Sequence, residues 1–406
     1  MANNNYIVDL LVTGTQTITV TDDGSGSDWL TVQGVYATQT DLRLSWNDDG
    51  FGNSTEAMGL YFFPNNTGHR LVVEGLIENI RGSNGLDFIQ GNEVGNILYG
   101  DATETGPGDA DSIYGYDGND TMFGGAGSDW LGGGNDNDLM FGNDGVDTII
   151  GGAGADTVIG GAGADLLSGG GNAHDLISYS GSTLGVTIAI TYGAATTGHG
   201  GHAEGDNIAG FADVAGSSRG DVIYDTVKTT IAFGYNDNVF YGGFGNDKLY
   251  LGGGNDTGRG GNDADLILGE QGNDLLMGEQ GTDTLRGGVG ADVLFGGTEA
   301  DTFQFTSHLE STVAAAGRDS IRDFSTAEGD RIDLSLIDAK THTAGNDAFT
   351  FIGDAAFVAG VDGQLRAVTY GSGWLVTGDL NGDRIADFGI YVVSPTALTA
   401  GDFILY

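Results

Sequence analysis

The sequence predicts an all-β chain built around a parallel β-roll, and three observations lead there. A nine-residue unit repeats through the middle of the chain. Glycine is abundant, at 76 residues, while proline is nearly absent, at 3. One apolar residue returns at the same place in almost every unit. A length of 406 residues would hold about two to three ordinary domains, but a repeat array fills the same length as one solenoid. Collagen is excluded because glycine does not recur at every third residue. A hydrophobic share of 39% argues against a disordered low-complexity chain.

The first run of units starts at Gly115 and reads GYDGNDTMF, GGAGSDWLG, GGNDNDLMF, GNDGVDTII, GGAGADTVI and GGAGADLLS, ending at Ser168. The second starts at Gly242 and reads GGFGNDKLY, LGGGNDTGR, GGNDADLIL, GEQGNDLLM, GEQGTDTLR, GGVGADVLF and GGTEADTFQ. Looser copies flank them: GSNGLDFIQ from Gly82, GNEVGNILY from Gly91, GPGDADSIY from Gly106 and GSSRGDVIY from Gly216.

Each unit divides into a turn and a strand. The turn glycines of the first run are Gly115, Gly118, Gly124, Gly127, Gly133, Gly142, Gly145, Gly151, Gly154, Gly160 and Gly163. Those of the second are Gly242, Gly245, Gly260, Gly269, Gly272, Gly278, Gly281, Gly287 and Gly290. They are expected to supply backbone with φ > 0. The last three residues of a unit, such as Thr148-Ile149-Ile150, form a short strand with one apolar side chain turned inward. Two units make one coil, and successive coils pair as parallel strands about 4.8 Å apart.

This stacking places each turn aspartate over the aspartate two units later. In the first block the candidates are Asp111, Asp120, Asp129, Asp138, Asp147, Asp156 and Asp165. In the second they are Asp247, Asp256, Asp265, Asp274, Asp283, Asp292 and Asp301. Carboxylates at that spacing repel. A hard cation taking about six oxygens from aspartates and turn carbonyls removes the conflict, and Ca²⁺ suits this better than Mg²⁺, which keeps its waters. The units resemble the G-G-x-G-x-D-x-U-x calcium repeat of RTX proteins. That resemblance implies multiple Ca²⁺ ions and folding on calcium.

Charge points the same way. Fifty-seven acidic residues face 14 basic ones, for a net charge of −43. Such a polyanion binds neither nucleic acid nor an acidic lipid surface unaided, and multivalent cations are its natural partners. Cysteine is absent, so disulfides and thiolate metal sites are excluded. No apolar run approaches the roughly 20 residues of a membrane span. Met1 to Tyr6 has neither the basic region nor the apolar core of a cleaved export signal.

The remaining segments complete a five-part map. Residues 1–81 hold β-like stretches at Thr15–Thr21, Leu30–Tyr36, Leu42–Trp46, Leu60–Phe63 and Leu71–Val73, and are expected to form an N-terminal β cap. Block I of the roll is 82–174. Residues 175–215 are a β insertion continuous with the solenoid, with His199 and His202 in a glycine-rich loop. Block II is 216–301.

Residues 302–406 carry ADTFQF, RDSIRDFSTAEGDRIDLSLIDA, GQLRAVTYGSGWLVTGDLNGDRIADFGIYV and LTAGDFILY. They resemble the C-terminal domain of serralysin-type metalloproteases. The resemblance implies a capping domain that carries the signal for a type I secretion apparatus. Within it, Asp379, Asn381, Asp383 and Asp387 alternate around a glycine turn like the front half of an EF-hand loop, though position twelve is Ile390. A calcium site is expected there.

The protease chemistry of that family does not carry over. The histidines, at His69, His174, His199, His202, His308 and His342, form no H-E-x-x-H. No G-x-S-x-G elbow and no phosphate-binding loop occurs. Asp22-Asp23, Asp48-Asp49, Trp29, Trp46 and Tyr61 would be the raw material of a sugar site in residues 1–81. Acid-rich turns beside strands are their ordinary reading. The expectation is a non-catalytic extracellular protein, exported unfolded and folded by Ca²⁺ outside. Its uses would be in a surface layer, matrix or adhesion, through self-assembly or a cell-surface glycan. The alternative is a secreted enzyme or effector with its active region in residues 1–81.

Overall fold

The computed structural model describes residues 237–406 throughout and residues 108–227 apart from 171–173 and 192–193. It also describes 79–101 apart from 83–85 and 92, and five strand segments before residue 79. Thr15–Thr21, Leu60–Phe63, Trp46, Tyr61 and the acid pairs at 22–23 and 48–49 lie outside the described residues. The chain divides into two compact units. One comprises Met1–Gly181 and Gly193–Phe211, the other Ser182–Tyr192 and Ala212–Tyr406.

In the first unit, one parallel sheet runs through Asn5–Asp9, Trp29–Gln33, Asn79–Arg81, Ile97–Tyr99, Thr121–Ala126, Leu139–Asp144, Thr157–Ala162 and Leu176–Ser178. A second runs through His69–Val72, Asp87–Gln90, Ser112–Tyr116, Trp130–Asn135, Thr148–Ala153, Leu166–Ser168 and Asn207–Ala209. The register is that of a β-roll. Thr121 pairs with Leu139 and Leu139 with Thr157, one coil of eighteen residues at a time. Parallel rungs already stand at Asn5–Asp9 and Trp29–Gln33, well before the first recognisable unit.

The second unit repeats the arrangement. One sheet is Thr187–Ile190, Val222–Asp225, Lys248–Tyr250, Leu266–Gln271, Thr284–Val289, Thr302–Gln304, Arg331–Asp333 and Phe403–Ile404, all parallel. The other passes through Asp213–Ala215, Val239–Phe244, Thr257–Asn262, Leu275–Gln280, Val293–Thr298 and Ser320–Ile321 to Phe388–Val392. Gly373–Asp379 and Gln364–Tyr370 then extend it in antiparallel fashion. The roll therefore does not stop at residue 301, because residues 302–406 supply the last rungs of both sheets.

The core is the stacked column of eighth-position residues. Met122, Leu131, Met140, Ile149, Val158 and Leu167 have no exposed surface, nor do Phe240, Leu249, Ile267, Leu276, Leu285 and Leu294. Burial at about 25 cal/mol per Å² makes this column the apolar driving force of the fold. One unit breaks the pattern, with Gly258 where the apolar residue belongs. Leu251, fully buried, fills the space. A Cβ on Gly258 would sit 3.0 Å from Leu251 Cδ1 and 2.8 Å from Ile267 Cγ2.

The turn glycines fall into two classes, where one was expected. Fourth-position residues such as Gly127 (φ 145°), Gly145 (φ 149°) and Gly272 (φ 137°) take the left-handed backbone. First-position glycines such as Gly115, Gly133 and Gly269 do not, and close approach to an aspartate requires them instead. Non-glycine residues also occupy the left-handed region in the repeats: Tyr116, Asp136, Asn143, Asp263, Glu270, Glu279 and Glu299.

Candidate metal centre

The turn aspartates form ladders along the roll. In each, the backbone N–H of one aspartate donates to Oδ1 of the aspartate one coil on. Asp111 donates to Asp129 at 2.7 Å, Asp129 to Asp147 at 2.9 Å and Asp147 to Asp165 at 2.9 Å. The alternate ladder links Asp120 to Asp138 at 2.8 Å and Asp138 to Asp156 at 2.9 Å. In the second unit Asp247, Asp265, Asp283 and Asp301 are joined in the same way, as are Asp256, Asp274 and Asp292.

The other oxygen of each of these carboxylates is stranded. Oδ2 of Asp111, Asp120, Asp129, Asp138, Asp147, Asp156 and Asp165 is buried without a hydrogen-bond partner. The same holds for Oδ2 of Asp247, Asp256, Asp265, Asp274, Asp283, Asp292 and Asp301. An unsatisfied buried acceptor costs about 1–3 kcal/mol, and more when charged. A row of them in one fold points to a missing electropositive partner.

The first-position glycines make room for that partner. A Cβ on Gly115 would strike both Asp120 Oδ2 and the Gly133 carbonyl oxygen. Gly124, Gly133, Gly142 and Gly151 face Asp129, Asp138, Asp147 and Asp156 in the same way, each with the glycine carbonyl of the next coil. Gly242, Gly269 and Gly278 do so with Asp247, Asp274 and Asp283. Gly160, Gly260 and Gly287 press on Asp165, Asp265 and Asp292. At the fourth position Gly118, Gly127, Gly145, Gly154, Gly245, Gly272, Gly281 and Gly290 turn through positive φ. Gly163 keeps a different backbone, but a side chain there would run into the Gly145 carbonyl.

Burial pushes these carboxyls up, with neighbouring aspartates adding to the effect and backbone N–H donors opposing it. Asp129 is raised to about 6, Asp120 and Asp147 to about 7, Asp138 to about 8 and Asp111 to about 9. In the second unit Asp283 rises to about 6, Asp265 and Asp274 to about 7, and Asp247 and Asp256 to about 8. Without a counter-charge the ladders hold on to protons.

The donor set is oxygen only: stranded carboxylate oxygens with glycine carbonyls beside them. It fits a hard divalent cation that accepts backbone carbonyls, as Ca²⁺ does. Among the described residues, no three His, Cys, Asp or Glu side chains converge as a metal group, so any such site needs backbone ligands.

The C-terminal set lies in one hydrogen-bonded loop. Asp379 accepts N–H bonds from Asn381 (3.3 Å), Gly382 (2.8 Å) and Arg384 (2.9 Å). Asp387 Oδ2 takes the Leu380 N–H at 2.7 Å, while Asn381 and Asp383 accept from Asp383 and Ile385. Asn381 Nδ2 also donates to Asp387 Oδ1 at 3.4 Å, so nested Asx turns hold the four side chains in one loop. His199 lies beside Glu204 on the surface at 3.9 Å, with no convergent metal group.

Two features escaped the sequence reading. Fifth-position asparagines form an outer ladder that needs no metal: Asn137 accepts from Ala155 at 2.7 Å, Asn255 from Asn273 at 3.0 Å and Asn273 from Ala291 at 2.9 Å. The aspartate ladders also run beyond the clear repeats. Asp175, Asp206, Asp319 and Asp330 accept from Asp156, Asp165, Asp292 and Asp301. Irregular spacing in sequence concealed them.

Four copies of the RTX calcium-binding nonapeptide repeat are matched in the chain, at residues 105–140, 141–173, 234–267 and 268–303. The chain thus carries calcium-binding RTX repeats on a β-roll. No curated protein matches it. Among solved structures it is similar to the solution structure of the AlgE6R3 subunit from the Azotobacter vinelandii mannuronan C5-epimerase. Identity is 25%, over 44% of this chain and 84% of that chain, with a TM-score of 0.27. No helix among the described residues is long and apolar enough to cross a membrane.

Proposed function

We propose that this chain is a non-catalytic extracellular protein, exported unfolded through a type I apparatus and folded by several Ca²⁺ ions outside the cell. The observation that carries the reading is the two sets of seven buried, unpartnered aspartate oxygens, all but that of Asp256 set against a glycine cradle. Where calcium is scarce the aspartates repel and the chain stays open. Where calcium is plentiful the binding energy becomes folding energy. The serralysin-like sequence of residues 302–406 supports the export route, and the lack of cysteine leaves no crosslink to impede passage. A calcium-ordered acidic surface suits a surface layer, matrix or adhesion, through self-assembly or a glycan.

The test is a calcium titration followed by far-ultraviolet circular dichroism and light scattering together. A cooperative gain of β signal between micromolar and millimolar calcium, with particles growing after it, is the expected result. A chain fully folded in chelator at neutral pH overturns the reading. Folding to a lasting monomer overturns the self-assembly part alone.

A further inference from the structure

The longest aspartate ladder of the second unit lies wholly between two rungs of a different kind. Its N–H donors run from Asp221 to Asp247 (2.7 Å), through Asp265 and Asp283 to Asp301, and from Asp301 to Asp330 (3.0 Å). The four inner aspartates leave Oδ2 bare. At both ends a serine N–H fills that place. Ser217 N–H donates to Asp221 Oδ2 at 2.5 Å, and Ser325 N–H donates to Asp330 Oδ2 at 2.7 Å. Asp221 Oδ1 also accepts from Val186 N–H (2.7 Å) and the Ser217 hydroxyl (2.8 Å).

We infer that the chain itself ends the cation row: Asp221 and Asp330 are closed by serine donors and take no Ca²⁺, while Asp247, Asp265, Asp283 and Asp301 take it. This deepens the proposed function and rests on it. An N–H aimed at a carboxylate oxygen brings the positive end of its dipole to the place a cation would occupy. It meets the need of that oxygen and repels a second positive charge at once. Asp221 shows that the donor and not the cradle decides the matter. A Cβ on Gly216 would meet Asp221 Oδ2 and the Gly242 carbonyl as it does at a repeat site, yet here the oxygen already has its hydrogen. The end rungs are complete without metal and give the inner rungs a formed coil on either side.

The experiment counts calcium bound per folded chain, by native mass spectrometry of the full chain, in Asp221→Asn, Asp330→Asn and Asp265→Asn. The expected result is the wild-type count for the two end variants and at least one ion fewer for Asp265→Asn. An end variant that loses calcium as Asp265→Asn does overturns the inference and leaves the proposed function standing. Full retention in all three, Asp265→Asn included, overturns the calcium reading of the ladder itself. The two end substitutions are independent, so a fold defect in one leaves the other to decide.

Discussion

The Tyr179 hydroxyl donates to Asp206 Oδ2 at 2.9 Å, with both groups out of solvent. Asp206 Oδ1 takes the Asp165 N–H at 2.9 Å, so this pair ends the Asp111–Asp165 ladder of the first unit with a phenol in place of a bare oxygen. Burial first, then the charge of Asp206, holds the phenol well above its ordinary range, so it stays a donor at every working pH.

Tyr179→Phe removes that donor and leaves a carboxylate oxygen buried and unpaired. A hydrogen bond to a charged group contributes about 1.5–3 kcal/mol. Calcium-saturated protein is therefore expected to lose about that much stability in denaturant unfolding. A loss below about 0.5 kcal/mol would show that the oxygen finds another partner.

Protons should stand in for calcium. Unfolded aspartates titrate near 3.9, whereas in the metal-free roll they are raised, from about 6 at Asp129, Asp156 and Asp283 to about 9 at Asp111. A raised folded-state value means the contribution is complete below about pH 4 and lost as pH rises through 6 to 9. In chelator, β signal in circular dichroism should persist at pH 4 and vanish across that window. With calcium present the neutral-pH fold survives, and acid displaces the ion. A chelated chain that keeps its β signal unchanged to pH 9 would count against buried bare carboxylates.

The two glycine classes should respond differently to alanine. Gly152, at the second position, also carries left-handed backbone (φ 119°), and a Cβ there would meet the Gly134 backbone but no aspartate, so Gly152→Ala costs at least the about 1–2 kcal/mol of left-handed strain. Gly142→Ala instead drives a methyl into Asp147 Oδ2 and the Gly160 carbonyl. Its expected signature is a higher calcium midpoint for folding, by tenfold or more, beyond any loss of stability. Equal calcium midpoints for the two variants would remove the distinction.

Most of the roll was legible because its cause is periodic. A nine-residue period with glycine, aspartate and an apolar residue at fixed places specifies turn, ladder and core together. Legibility failed where the same geometry is reached by other means. Asp206 follows Asp165 in the ladder after forty-one residues, so no spacing announces it. Gly258 could be seen as a gap in the column, while its remedy, Leu251, sits outside the eighth position.

That remedy gives a test of the core. Leu251 is fully buried and occupies the volume beside Gly258 and Ile267. Leu251→Ala opens a cavity on a coil that already lacks its own apolar residue, at an expected cost of about 2–5 kcal/mol. Gly258→Ala alone brings a methyl to 2.8 Å from Ile267 Cγ2 and should destabilise through overpacking, by about 1–3 kcal/mol. The double variant supplies a methyl where space has just been made. Its loss is therefore expected to be smaller than the sum of the two singles, in calcium-saturated denaturant unfolding. Strict additivity would mean that Leu251 does not occupy the space left by Gly258.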